Sequence, residues 1–219
     1  MLVSKKKVFL YVVLFAIQVM VVLLIALNAD SQSNFLVNLF YDRLFTFILI
    51  PLYLYGAANV DVDINYLVVL RIGSRKNGMI KRLKFQYGYG LLFWIMWFSV
   101  IAMFSFLFFG TLENFVSIKY AVIFLKYYIG SVMISNLLLI LNSSNSKFLS
   151  ENSYIIIYLL FIIEVLVIVS EVKMQTPIEV FLFFSWIIYG EYVGVLVLFV
   201  YSMLLLRYIF KISIRKDIM

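Results

Sequence analysis

The chain has 219 residues, of which 65% are hydrophobic and only 13% charged, and its mean hydropathy is +1.07. Soluble domains carry about a quarter charged residues, so this composition excludes a soluble fold and reads as an all-α membrane protein, one transmembrane domain over residues 1–219. There is no cysteine and no histidine, which removes thiol catalysis, disulfides, histidine-held metals and the usual general base.

A helix needs about 20 apolar residues to cross the hydrocarbon, and six stretches qualify or nearly do. The first, Val8–Leu27, follows Lys5-Lys6-Lys7. It exceeds the roughly 7–15 residues of a signal-peptide core, and Leu27 is a poor match to a small cleavage-site residue, so it reads as an uncleaved span. The second, Leu44–Val60, contains Pro51, one of two prolines, and is expected to kink there. A basic segment, Asp61 to Tyr87, leads to the third span, Gly88–Phe109. The fourth is Tyr120–Leu141, followed by a polar turn over Asn142–Ser146, and the fifth is Tyr154–Ser170. The segment from Glu171 to Glu191 then holds Pro177 and the apolar run Val180–Tyr189, before the sixth span, Tyr192–Phe210. That run is too short to span and too apolar for water. It is read as a re-entrant or interfacial helix anchored by Trp186 and Tyr189, or as an upward extension of the sixth span.

The charges orient these spans. All Lys and Arg except Arg43, Lys119, Lys126 and Lys173 fall in Lys5–Lys7, Arg71–Lys84, Lys147 and Arg207–Lys216, which are alternate gaps between the spans. The positive-inside rule places these gaps and both termini in the cytoplasm. The net charge of +7 therefore serves topology and contact with anionic lipid, and nucleic acid is not expected as a partner.

Intramembrane polar residues are the default places to look for function. Glu164 lies near the middle of the fifth span, where an unpaired carboxylate costs roughly 2.5 kcal/mol or more. It serves either an interhelical hydrogen bond or transport. Lys126, inside the fourth span, is its possible partner or snorkels outward. Gln18 and Asn136 carry a softer version of the same signal. Catalysis has few means: no Ser–His pair or metal-binding His can be assembled, Asp61 and Asp63 stand at i and i+2 on different faces, and no G-x-x-x-x-G-K-[ST] loop exists. ATP, if used, must bind another chain.

The basic segment is the strongest lead. Tyr66, Leu67, Leu70 and Ile72 give a short helix one apolar side, with Arg71 and Arg75 at i and i+4 on a shared face. Gly73 can end that helix, and Ser74 or Asn77 can cap a second that runs into the third span. Such a helix lies at the membrane face and can dock on a soluble partner.

The core Leu70-Arg71-Ile72-Gly73-Ser74-Arg75-Lys76 resembles the cytoplasmic segment of small ABC-2-type permeases, the membrane subunits of bacterial ABC exporters, including those beside bacteriocin or lantibiotic immunity genes. The likeness covers about Asn65 to Lys81 in sequence and the whole chain in architecture. Asn77-Gly78 departs from it where a bulky aromatic is expected, and the long amphipathic amino-terminal helix of larger members is missing ahead of Lys7. The resemblance implies a coupling helix seated in a separate ATPase, with Tyr66, Leu67 and Leu70 in its groove and Arg71, Ser74, Arg75 and Lys76 on its polar surface. It implies a second permease subunit, ATP and magnesium held by the ATPase alone, and export of a hydrophobic or amphipathic substrate across the bacterial cytoplasmic membrane by alternating access. Gln18, Pro51 and Glu164 are the candidate lining of the path. The competing expectation is a non-transport membrane protein acting in peptide immunity or with a sensor.

Overall fold

The computed structural model describes residues 5–40, 44–60, 75–112, 115, 117–144, 146–169, 185–188 and 192–218. Among them every regular element is helical. Four helices are long and apolar enough to cross a membrane, within Phe9–Leu27, Asn77–Phe109, Ile118–Asn142 and Tyr192–Lys211. This is the build of a membrane protein. The remaining two stretches expected to span form shorter apolar helices, within Phe45–Asn59 and Ser153–Leu166.

Helix α1 (Lys5–Leu27) buries Leu14, Gln18, Val22 and Ala26, a stripe with a residue every fourth position that shares one helical face. The opposite face, with Phe9, Val12, Met20 and Leu24, is exposed, as lipid-facing surface should be. A helix absent from the sequence reading follows: α2 (Gln32–Leu39). Ser31 caps it by accepting from the Asn34 backbone N–H at 3.3 Å, and Phe35, Leu36 and Leu39 fix it to the core.

The second apolar stretch begins as a π-helical turn over Phe45–Leu49 and continues as α3 (Ile50–Val60). Pro51 supplies the cause. Its ring crowds the carbonyl four residues back and it has no N–H to give, so the ladder widens just before it. The Ile50 N–H reaches Phe45 O instead. The expected proline deformation thus takes the form of a widened turn.

Helix α4 (Arg75–Phe109) is 35 residues long, about 52 Å at 1.5 Å per residue. The inner segment expected to run to Tyr87 therefore gives way to helix by Arg75. The residues of its amino-terminal part, rich in Lys, Arg, Met, Leu and Gln, favour helix, and Leu83 packs with Leu139 and Ile209. At the far end Gly110 adopts φ 69°, and its N–H bonds Phe106 O at 2.9 Å. A left-handed glycine is the common stop for such a helix.

Helix α5 (Ile118–Asn142) is the most enclosed of the long helices. Its end turns through Ser143 and Ser144 into α6 (Lys147–Glu151), then α7 (Ser153–Val169). The short helix α8 (Ser185–Ile188) comes next and α9 (Tyr192–Ile218) closes the chain, running eight residues past its expected end at Phe210. Helix α5 packs along α9, α4 and α7, while α1 lies against α4 and α3. Where they meet, the core is aromatic: Phe45, Tyr53, Phe93, Trp94, Trp97, Tyr127 and Phe161 are buried. Phe45 and Tyr127 lie 4.4 Å apart by ring centroids, and Phe93 meets Trp94 edge-on at 5.0 Å, arrangements that ring quadrupoles favour.

Candidate functional site

The bundle is tied internally by polar contacts stacked at three levels. Near one end, Gln32 on α2 donates to Ser105 Oγ at 2.6 Å and to the Thr111 carbonyl at 2.7 Å. Mid-bundle, the Tyr53 hydroxyl donates to Ser131 O at 3.1 Å and pairs with Ser135 Oγ at 3.0 Å, and Tyr89 donates to Tyr53 O at 3.2 Å. Toward the end that carries the basic start of α4, Tyr87 donates to Asn136 Oδ1 at 2.6 Å, and Asn136 Nδ2 donates to Ser202 O at 3.1 Å. In a medium without water each of these groups needs a protein partner, and together they tie α2, α3, α4, α5 and α9. Asn136, singled out in the sequence, belongs to this framework.

Small residues permit the approach. A Cβ on Gly56 would coincide with the Tyr89 hydroxyl, and one on Gly90 would come within 2.6 Å of Ser131 Oγ. A Cβ on Gly130 would meet Ile187 Cδ1 at 2.7 Å, and one on Gly194 would meet the Trp186 carbonyl at 2.9 Å. The glycines of α5 and α9 thus form a seat for α8, in which Ile187 is 1% exposed. Lys126 lies in the same seat. It is 6% exposed, and its Cδ is 3.6 Å from the position a Cβ on Gly194 would take. Of the two readings of Lys126, the outward one fails: the side chain turns into the bundle. Glu164 on α7 is half-buried and interacts electrostatically with Tyr201 of α9. Trp186, expected as an interfacial anchor, has its indole Nε1 buried with no partner among the described residues.

The residues proposed to line a path fall in three places. Gln18 is buried against α4, its Nε2 3.5 Å from Phe93 O and its Oε1 without a partner among the described residues. Pro51 faces α7 across a cleft, and Glu164 interacts electrostatically with Tyr201. Of the coupling residues, Tyr66, Leu67, Leu70, Arg71 and Ser74 lie outside the described residues, as do Asp61, Asp63, Pro177 and Tyr189. Arg75 and Lys76 form the first turn of α4.

That first turn is electrostatically unusual. Arg75, Lys76, Lys81, Arg82 and Lys84 occupy the amino-terminal end of α4, with no acidic residue in its first turn. A helix amino terminus carries partial positive charge and prefers anions, so cations there repel the dipole and leave the end strongly attractive to a negative surface. Lys81 and Lys84 are exposed, whereas Met79, Leu83 and Tyr87 on the other side contribute to the apolar contact with α5 and α9. The end is both cationic outward and fixed inward.

Two clefts open along the seam between α3 and α7. One, about 560 Å³, is lined by Pro51, Leu54, Tyr55, Ile155 and Tyr158. The other, about 180 Å³, is lined by Gln86, Asn142, Ser150, Glu151 and Ser153. Ala58 and Tyr154 line both. Of the residues singled out in the sequence, Pro51 lies on this seam; the rest of its walls come from helices far apart in the chain. Comparison with known proteins places the chain beside none of them: no family model, no curated protein and no solved structure matches it.

Proposed function

We propose that this chain is the permease subunit of an ATP-driven exporter of the ABC-2 type, with six spans, both termini in the cytoplasm and a coupling segment over Tyr66–Lys76. The observation that carries the reading is the start of α4. A cationic helix end, directly following the coupling segment in sequence, is fixed through Leu83 to Leu139 of α5 and Ile209 of α9. A push delivered there by a partner has a rigid route into the bundle, since Tyr87, Asn136 and Ser202 join the same three helices one turn deeper.

In this reading the chain itself is not an enzyme. Two separate ATPase subunits hold ATP and magnesium and close on them, the coupling segments of two permease copies move together, and the spans re-open toward the outside. The short helix α8, in its seat of Gly130 and Gly194 beside Lys126, is the re-entrant element between the fifth and sixth spans, and the cargo is hydrophobic or amphipathic. The setting is the bacterial cytoplasmic membrane.

The test is co-purification of the tagged chain in mild detergent from its native host. A stoichiometric ABC ATPase is expected with the unaltered chain. Arg71→Glu with Arg75→Glu should abolish that association while membrane insertion stays intact. Association that survives the double reversal, or a preparation with no ATPase at all, overturns the assignment and favours a role in peptide immunity or sensor interaction.

A further inference from the structure

We propose that Lys126 and Glu164 are a charge pair inside the membrane that holds the short helix α8 in its seat. The proposal does not depend on the exporter reading, since it uses neither the coupling segment nor an ATPase.

Depth brings the two residues together. Helices α5 and α7 pack on each other and are joined through the short α6, so they run in opposite directions. Phe45 ties them at one level, its ring 4.4 Å from Tyr127 of α5 and 6.0 Å from Phe161 of α7. Lys126 precedes Tyr127 by one residue and Glu164 follows Phe161 by three, so both lie on the side away from α6. At 1.5 Å per residue the two differ in depth by about 3 Å, within the reach of a lysine side chain. Laterally they converge on α9. The Lys126 Cδ is 3.6 Å from where a Cβ on Gly194 would stand, and Glu164 interacts electrostatically with Tyr201. Helix α8 touches α5, α7 and α9, so it sits where the three meet.

Charge selects the partner. Lys126 is 6% exposed and lies about 12 Å along α5 from its start. At such a depth charged side chains face the bundle and pair with one another or with carbonyls, and a carboxylate alone also cancels the charge. Among the described residues Glu164 is the acidic residue within an apolar helix. The others are Asp30 between α1 and α2, Glu151 paired with Lys147 on α6, and Asp217 at the end of α9. The link to α8 follows from helix geometry. Lys126 and Gly130 are four residues apart on one face of α5, and Ile187 rests on Gly130. The Lys126 stem and the Trp186 carbonyl meet at Gly194. A lysine that loses its counter-charge swings outward on its flexible stem, and that departure disturbs α8.

The experiment uses the full chain in detergent with Ile187→Cys as its single thiol, and follows the rate of maleimide labelling. Labelling should be slow with both charges present. Glu164→Gln and Lys126→Met should each speed it about tenfold, the size of one lost interaction with a charged group. The exchange Lys126→Glu with Glu164→Lys should return the rate toward the starting value. The same changes in the chain that keeps Ile187 should lower the unfolding temperature, the Lys126→Met, Glu164→Gln double variant by less than the sum of the two single losses. Unchanged labelling in Glu164→Gln, an exchange no slower than the single variants, or additive losses in unfolding temperature overturns the proposal. So does Glu191→Gln if it reproduces the Lys126→Met rate while Glu164→Gln does not. None of these results bears on whether an ATPase co-purifies.

Discussion

The seam between α5 and α9 and the seam between α3 and α7 use the same ingredients to opposite ends. At the first, small residues let the helices close, and Asn136 is matched on both sides: it receives from Tyr87 and donates to the Ser202 carbonyl, while the Ser202 hydroxyl is buried without a partner among the described residues. At the second, Pro51 and three tyrosines line a cleft of about 560 Å³, and in the smaller chamber beside it lies Gln86, whose buried Oε1 has no partner among the described residues. Inside a membrane, a side chain matched on both sides ties helices together, and Asn136 does so at the closed seam.

The contrast can be tested first by access. The chain has no cysteine, so a single introduced thiol reports alone. Ala58→Cys should react with a maleimide in the folded protein, whereas Ser135→Cys, fully buried against Tyr53, should react only after denaturation. Equal labelling would erase the distinction between the seams. Next in size is Gly130→Leu. A side chain there displaces Ile187 and should cost about 3 kcal/mol through overpacking, read as a lower unfolding temperature in detergent and as new protease sensitivity around α8. Asn136→Leu removes two interhelical hydrogen bonds, which in membrane proteins average about 0.6 kcal/mol each. A loss of about 1–2 kcal/mol is expected, with Tyr87 left to find another acceptor. Tyr53→Phe keeps the ring stack with Tyr89 and removes only the hydroxyl contacts to α5, for about 0.6 kcal/mol. Smallest is Lys147→Ala: its pair with Glu151 is an exposed i,i+4 contact and should change stability by under about 0.5 kcal/mol.

Much of the helical frame is legible in the sequence because hydropathy is a local property. Each of the six apolar stretches becomes a helix over at least most of its expected length, and the basic segment does start a helix next to Ser74. What escaped detection was short or non-local. Helix α2 is eight residues long, and its only advance signal was Ser31 ahead of the pattern Phe35, Leu36, Leu39. Asn136 stood out as polar within a span, but its partners lie 49 and 66 positions away, a pairing that no periodicity encodes. Gln86 was hidden for another reason: it sits in a stretch already explained by its lysines and arginines, and nothing in the order of residues tells that its side chain is buried. Lys126 was ambiguous until the fold brought α9 beside it.

Helix α4 has one further consequence. At about 52 Å it exceeds a 30 Å hydrocarbon core by about 22 Å, and its contact with α5 and α9 at Leu83 lies partway along that excess. It is a lever with its pivot built in. A tilt of about 10° about Leu83 moves Arg75, eight residues and about 12 Å away, by about 2 Å, so a rotation among the transmembrane helices becomes a displacement at the start of α4. Mechanical gain of this kind depends on length and stiffness, and the uninterrupted helix from Arg75 to Phe109 provides both.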